Sequence, residues 1–287
     1  MTQTLNVLML GGGNMAQAIL AGFKRSGLNA SLQLVEPVES LHKTLTQTSG
    51  IPSSAVHASL DALLEKTSLT QFHWLVLAVK PQQAQEALLP ILRQTQSMNT
   101  ASSHASASSK PALLSIAAGL SIQKLKDWSG LQAVIRCMPN TPAMVGQGIT
   151  GLYAPASFDA QLGEQANDLL RGLGPTVWLT NEDEINTVTA ISGSGPAYVF
   201  YFVECFMKAA QSKGLAPETS KTLAWQTVKG AVALLDSSHE TAENLRAKVT
   251  SKGGTTAAAM ETLSAAGLER ALSSAIEAAQ ERARELS

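Results

Sequence analysis

The feature that most narrows the fold lies near the start. The apolar run Val7-Leu8-Met9-Leu10 passes without a spacer into Gly11-Gly12-Gly13-Asn14-Met15-Ala16 and then into an Ala-rich stretch of helical period. A strand that turns on glycines into a helix opens a βαβ unit. The spacing is G-x-G-x-x-A: the glycines permit the tight turn and a close backbone approach. The helix start then offers free N–H groups and the positive end of its dipole to an anion such as a pyrophosphate. The chain is expected to open with a doubly wound parallel sheet that binds a dinucleotide.

The alternation continues. Short β-rich runs at 7–10, 32–35, 74–79, 112–116, 133–137 and 176–179, with a less regular seventh at 149–153, are separated by helical stretches, the pattern of a parallel sheet. Beyond Leu179 the strand signals cease. Ala, Leu and small residues then run at helical spacing, punctuated by Gly214, Pro217, Gly253 and Gly254, which reads as all-α. The fold class predicted is α/β: an N-terminal Rossmann-type doubly wound sheet over residues 1–180 and an all-helical C-terminal domain over 181–287. A length of 287 residues accommodates both. Between them in character is a Ser/Ala/Thr/Asn-rich insertion, 94–109. It has too little apolar surface to offset its ordering entropy and is expected to be a mobile surface loop, His104 included.

Composition removes several classes of function. Lys plus Arg number 21 against 22 Asp plus Glu, and no stretch is basic enough to track a phosphate backbone, so nucleic acid is not an expected partner. Cys137 and Cys205 have no CxxC or CxxH spacing, which argues against a disulfide framework or structural zinc and for a reducing compartment. The N-terminal apolar run has no cationic region before it and enters the glycines directly; it reads as a strand rather than a signal peptide. The apolar segment 197–210 is broken by Glu204 and Lys208 and falls short of the roughly 18 apolar residues of a spanning helix. A cytoplasmic protein with a buried core or interface helix is expected, with no membrane partner.

The chemistry-bearing positions cluster at strand ends. Glu36 closes the second strand, about where a ribose-binding acid belongs. A carboxylate there accepts from ribose hydroxyls and repels a 2′-phosphate by up to ~4 kcal/mol at ~4 Å and an effective dielectric of ~20. No Arg or Lys stands between Glu36 and His42, which leans towards NADH. The alternative is a side chain turned outward beside Pro37. Lys80, in Ala78-Val79-Lys80-Pro81 after a long strand, is placed either to approach a phosphate or ribose or to stand as a solvated charge. Asn140, in Arg136-Cys137-Met138-Pro139-Asn140-Thr141-Pro142, is by itself a turn former. Late in the chain, Val249-Thr250-Ser251-Lys252-Gly253-Gly254-Thr255-Thr256 precedes a helical run. This gathers glycines and hydroxyls where a carboxylate can bind, or where Thr255 and Thr256 act only as caps. The five histidines lie outside all these motifs, and no H-E-x-x-H, G-x-S-x-G or P-loop lysine pattern occurs. Reduction of a C=N bond needs only a hydride donor and a hydrogen-bonded or protonated nitrogen, so an imine suits this inventory better than an alcohol.

Taken together these motifs, with Ser115-Ile116-Ala117-Ala118-Gly119 and Ser192-Gly193-Ser194-Gly195-Pro196-Ala197-Tyr198, resemble pyrroline-5-carboxylate reductases over nearly the whole chain. The resemblance implies reduction of L-1-pyrroline-5-carboxylate to L-proline by NAD(P)H, the last step of proline biosynthesis. It also implies a Rossmann domain followed by a helical dimerisation and substrate domain, in an interleaved dimer that builds towards a decamer. By analogy Gly11, Gly13, Asn14 and Met15 hold the pyrophosphate. Ala78, Lys80 and Pro81 line the cofactor path, Ala118 and Asn140 approach the nicotinamide half, and Ser59 stands at a cofactor-contacting position. The substrate carboxylate falls to Ser251, Gly254, Thr255 and Thr256, with the Thr256 hydroxyl on the ring nitrogen as the catalytic contact. Glu182 resembles an acidic position near the product.

The chain departs from the family pattern at two places. Glu36 stands where many members carry a small polar residue suited to NADPH, and the Ser-rich insertion is not typical. A β-hydroxyacid dehydrogenase on the same fold wants K-x-x-N, and no lysine here has Asn three residues later. A dinucleotide-binding sensor without catalysis is the non-enzymatic alternative, against which the intact Gly253-Gly254-Thr255-Thr256 motif argues.

Overall fold

The computed structural model describes residues 4–101 and 110–286. In the first part, β1 (Leu5–Leu10), α1 (Asn14–Ser26), β2 (Ala30–Val35), α2 (Glu39–Ser49), β3 (Val56–His57), α3 (Leu60–Leu64) and β4 (Trp74–Leu77) lead to α4 (Ala84–Ala101). Then come β5 (Ala112–Ser115), α5 (Ile122–Ser129), β6 (Val134–Pro139), β7 (Thr150–Tyr153), α6 (Ala160–Leu170) and β8 (Thr176–Trp178). The eight strands form one sheet in the order β3-β2-β1-β4-β5-β6-β7-β8. All pairs are parallel except β6 with β7. The connection order reverses across β1 and β4, where ligands bind in open α/β sheets.

Burial on both faces explains why the strands read as continuous apolar runs. Val7, Met9, Trp74, Val76 and Cys137 pack on one face with α1, α2 and α6 residues such as Ile19, Leu45 and Leu169. Their neighbours Leu8, Leu10, Leu75, Leu77 and Val134 pack on the other with Leu63, Leu88 and Leu125 of α3, α4 and α5. The two-residue period of each strand thus feeds two cores.

Past β8 every element is helical: α7 (Glu184–Val188), a π-helical segment Thr189–Gly193, α8 (Gly195–Ser212), α9 (Pro217–Ser237), α10 (Ala242–Lys248), α11 (Thr255–Ala265) and α12 (Leu268–Glu285). The chain divides into two compact units, Met1–Gly193 with Ala279–Ser287, and Ser194–Ala278. The first unit extends past residue 180 because Ile185 of α7 and Ala190 of the π segment are buried. The returning end of α12 joins it through Gln280 to Thr187 at 2.6 Å and Arg284 to Asp183 at 3.0 Å.

The Ser-rich insertion needs a correction. Its first part, 94–101, is not a loop but the last turns of α4. Thr95 is fully buried, its hydroxyl meeting the carbonyl oxygens of Leu92 and Ser129 at 2.9 Å each. A helix already anchored by Leu88 and Ile91 propagates through Gln and Met at little cost. The remainder, His104 included, lies outside the described residues. Among the described residues no helix is long and apolar enough to cross a membrane.

Candidate functional site: a dinucleotide cleft and an uncapped helix start

At the carboxyl edge of the sheet, Gly11 follows β1 with φ +97°, a conformation glycine adopts freely. A Cβ there would lie 2.7 Å from the Ala78 carbonyl oxygen, because the ends of β1 and β4 are laced by Ala78 N–H to Leu10 O at 2.8 Å. Gly13 is the N-cap of α1, has nothing within 4 Å of a Cβ position, and no side chain caps the helix. The first turn of α1 thus has no side-chain cap, and its free N–H groups make the cradle a pyrophosphate needs. Asn14 is exposed and Met15 half-buried at this helix start.

Glu36 does not turn outward. It is 7% exposed, and its carboxylate accepts from Gly12 N–H at 2.7 Å and from Val38 N–H at 2.9 Å. The acid is thus fixed between the glycine turn and the chain leaving β2, with lone pairs left for ribose hydroxyls. The Glu36 N–H donates to the His57 carbonyl at 2.8 Å, and the Glu36 carbonyl oxygen lies 2.6 Å from His42 Nε2. Partial burial first, then Lys66 and His42, hold the His57 imidazole below its ordinary value, and the ring lies 2.5 Å from Gln33 Oε1.

A cleft of about 270 Å³ continues from the glycine turn, bounded by Gly11, Pro37, Ser59, Val79 and Pro90. Ser59 is the N-cap of α3, its hydroxyl accepting from Ala62 N–H at 3.4 Å. Ala78 is half-buried on the strand end, Lys80 is exposed, and Pro81 starts the one-turn helix Pro81–Gln83. Asp61 and Glu86 supply the charge of the cleft wall, a feature the sequence reading passed over because α3 and α4 bring them together only in the fold.

Further along the edge, Ala118 is half-buried beside Gly119 in the turn after β5. Asn140 is 9% exposed and more than a turn former: its Nδ2 donates to Ser192 O at 3.1 Å, and its Oδ1 accepts from Ile149 N–H at 3.0 Å. It ties the end of β6 to the π segment, the kind of irregular helix that marks functional sites. Glu182 is occupied within the first unit. Its Oε1 accepts from the Ile122 N–H at 2.7 Å and from Arg136 Nη1 at 2.8 Å, so it serves the first N–H of α5, whose N-cap is Ser121, and neutralises a guanidinium on β6 whose side chain is 7% exposed. A lone arginine inside an apolar strand was the signal for this partner. Burial pushes the neighbouring Cys137 thiol up, which leaves it unreactive.

In the second unit, Ser251 O accepts from Gly254 N–H at 3.0 Å, and Gly253 has φ +73°. This turn delivers Gly254 as the N-cap of α11 with no side-chain cap. The first intrahelical bond is Ala258 N–H to Gly254 O at 3.2 Å, so the N–H groups of Thr255, Thr256 and Ala257 have no helical partner. Ser251 and Thr255 are exposed, Gly254 and Thr256 half-buried. Thr255 and Thr256 are not the caps: they are the first helical residues.

Against known proteins, the family model for pyrroline-5-carboxylate reductase dimerisation matches residues 182–286. The pyrroline-5-carboxylate reductase of Pseudomonas aeruginosa is 35% identical, with 99% of this chain and 97% of that protein covered. The chain belongs to the pyrroline-5-carboxylate reductase family. The Haemophilus influenzae reductase is 34% identical over 98% of this chain and 97% of its own. Among solved structures, the reductase of Coxiella burnetii superposes with a TM-score of 0.84 at 32% identity, covering 99% of both chains. That of Plasmodium falciparum, solved with NADP bound, gives 0.78 at 26% identity over 98% of both. The likeness spans both units, as the resemblance of the motifs implied.

Proposed function

We propose that this chain reduces the C=N bond of L-1-pyrroline-5-carboxylate to give L-proline, as an NAD(P)H-dependent oxidoreductase closing proline biosynthesis. The observation that carries this reading is the uncapped start of α11 behind the Ser251–Gly254 turn, kept in a chain so similar to named reductases along its full length. A reduced nicotinamide would supply the hydride to the imine carbon, and the ring nitrogen would take its proton from solvent. In the sequence division, residues 1–180 bind the dinucleotide and 181–287 serve dimerisation and substrate.

Each residue then has a task. Gly11 and Gly13 leave room for the pyrophosphate, which the N–H groups at Asn14 and Met15 hold. Ala78, Lys80 and Pro81 line the path, Ser59 borders the cleft, and Ala118 and Asn140 set the nicotinamide half. The Ser251, Gly254 and Thr255 backbone holds the substrate carboxylate, and the Thr256 hydroxyl hydrogen-bonds the ring nitrogen and orients the imine carbon. Orientation supplies most of the acceleration. Glu182, held through Oε1 by Ile122 N–H and Arg136, stands where the family pattern has an acid near the product.

Glu36 favours NADH. It is fixed by two backbone N–H groups and 7% exposed, so it would accept from ribose hydroxyls and repel a 2′-phosphate. The family's more usual partner is NADPH, so the chain stands apart here. A homo-oligomer fits the dimerisation segment, and a cytoplasmic decamer built from dimers is the assembly we propose. The test is parallel oxidation of NADH and NADPH by purified protein given L-pyrroline-5-carboxylate, with proline identified as product. Proline formed faster with NADH is the expected result; absence of proline with both cofactors overturns the activity.

A further inference from the structure

We infer that Glu86 selects adenine in the dinucleotide cleft, its carboxylate accepting a hydrogen bond from the N6 amino group of the base. The inference rests on the dinucleotide reading of the first unit and adds a determinant at the end of the cofactor remote from the chemistry. The cleft beyond Gly11 offers a purine apolar surface, with Pro37, Val79, Ala87 and Pro90 among its lining residues. A planar heterocycle gains by leaving water for such a slot, but apolar walls do not tell one base from another.

The charged groups of the lining do. They are Asp61 and Glu86, with no cation. Asp61 already faces Arg93, whose Nη1 is 3.4 Å away. Glu86, an exposed residue in the first turn of α4, makes no hydrogen bond or ion pair with the described residues and is free to turn to a ligand. Adenine carries an exocyclic N–H donor at position 6, whereas hypoxanthine carries a carbonyl oxygen there and guanine does likewise. A carboxylate accepts from the first and repels the others. A site that hydrogen-bonds an N–H rejects the analogue that lacks it far more strongly than an apolar pocket rejects a small change of shape.

Nicotinamide hypoxanthine dinucleotide is the matching probe, since it differs from NAD at that position and leaves the nicotinamide, riboses and pyrophosphate intact. Calorimetric Kd values for NAD⁺ and this analogue are measured on the native chain, Glu86→Ala and Glu86→Gln, with imine reduction assayed separately. A charged hydrogen bond lost and a carbonyl set against a carboxylate give the native chain about a tenfold preference for NAD⁺. Glu86→Ala binds the two within about twofold of each other, and Glu86→Gln, keeping an acceptor without the charge, falls between. An equal preference in native chain and Glu86→Ala, or no preference in the native chain, overturns the assignment, and failure to bind either dinucleotide removes it together with the cofactor reading. If the preference collapses in Glu86→Ala while no imine is reduced, the assignment stands and the catalytic reading alone fails.

Discussion

Glu36 and Gly11 show how single residues at the strand ends set what the cleft accepts. Glu36 is held by Gly12 N–H and Val38 N–H, so replacing it alters both ligand choice and fold. Glu36→Ser is expected to raise the NADPH-to-NADH ratio of kcat/KM by at least about tenfold, as one buried charge facing a phosphate is removed. The same change leaves two backbone donors underserved, at a stability cost of about 1–3 kcal/mol readable by urea titration. An unaltered ratio would mean that the carboxylate does not face the ribose. Gly11→Ala would place a Cβ 2.7 Å from the Ala78 oxygen at φ +97°. We expect it to lose dinucleotide binding by calorimetry even in protein that remains folded. Thr256→Val, isosteric but without the hydroxyl, is expected to leave dinucleotide Kd unchanged and to cut turnover about tenfold or more, a lost transition-state contact; unchanged turnover removes Thr256 from the reaction. The position of Glu36 was legible from its place after the second strand. Its bond to Gly12 was not, because that contact exists only once β1 and β2 pair.

At the scale of elements, the sequence reading succeeded where the apolar period was strong and failed where tertiary contacts outweighed composition. The sheet strands were legible because burial on both faces leaves unbroken apolar runs. The two-residue β3 was not, since Val56 and His57 carry no period of their own. The end of α4 is the instructive case: Ser, Thr and Gln look like a loop, yet Thr95 is fully buried and bonded to Ser129 O beside Gly130. Thr95→Val keeps the shape and leaves that carbonyl without its donor, at about 1–2 kcal/mol. The loss is expected as a fall of roughly 2–8 °C in Tm with catalysis unaffected at low temperature; an unchanged Tm would show that the hydroxyl is dispensable. Asn140 and Glu182 were singled out by sequence, but their hydrogen-bond partners, Ser192 and Ile149 in one case, Arg136 and Ile122 in the other, are distant in the chain.

For the whole molecule, the second unit is short of its own core. No residue of α8 or α11 is buried, and Phe200 and Tyr201 are 65% and 66% exposed, with Trp225 of α9 at 56%. Apolar surface on that scale marks a protein interface, and the dimerisation model covers this segment. Phe200→Asp is expected to shift the light-scattering mass of the native oligomer downwards, whereas the Rossmann unit, with its two closed cores, keeps its dinucleotide affinity. The apolar content of 197–210, broken by Glu204 and Lys208, had marked a core or interface helix; exposure of its aromatic side chains favours the interface.

The central claim is hydride transfer to a cyclic imine. The most direct test is to supply NADH deuterated at the transferable C4 position together with L-pyrroline-5-carboxylate, and to read the proline by mass spectrometry. The account predicts L-proline carrying the deuterium on its former imine carbon. Unlabelled proline, or none while the dinucleotide is bound, would contradict it.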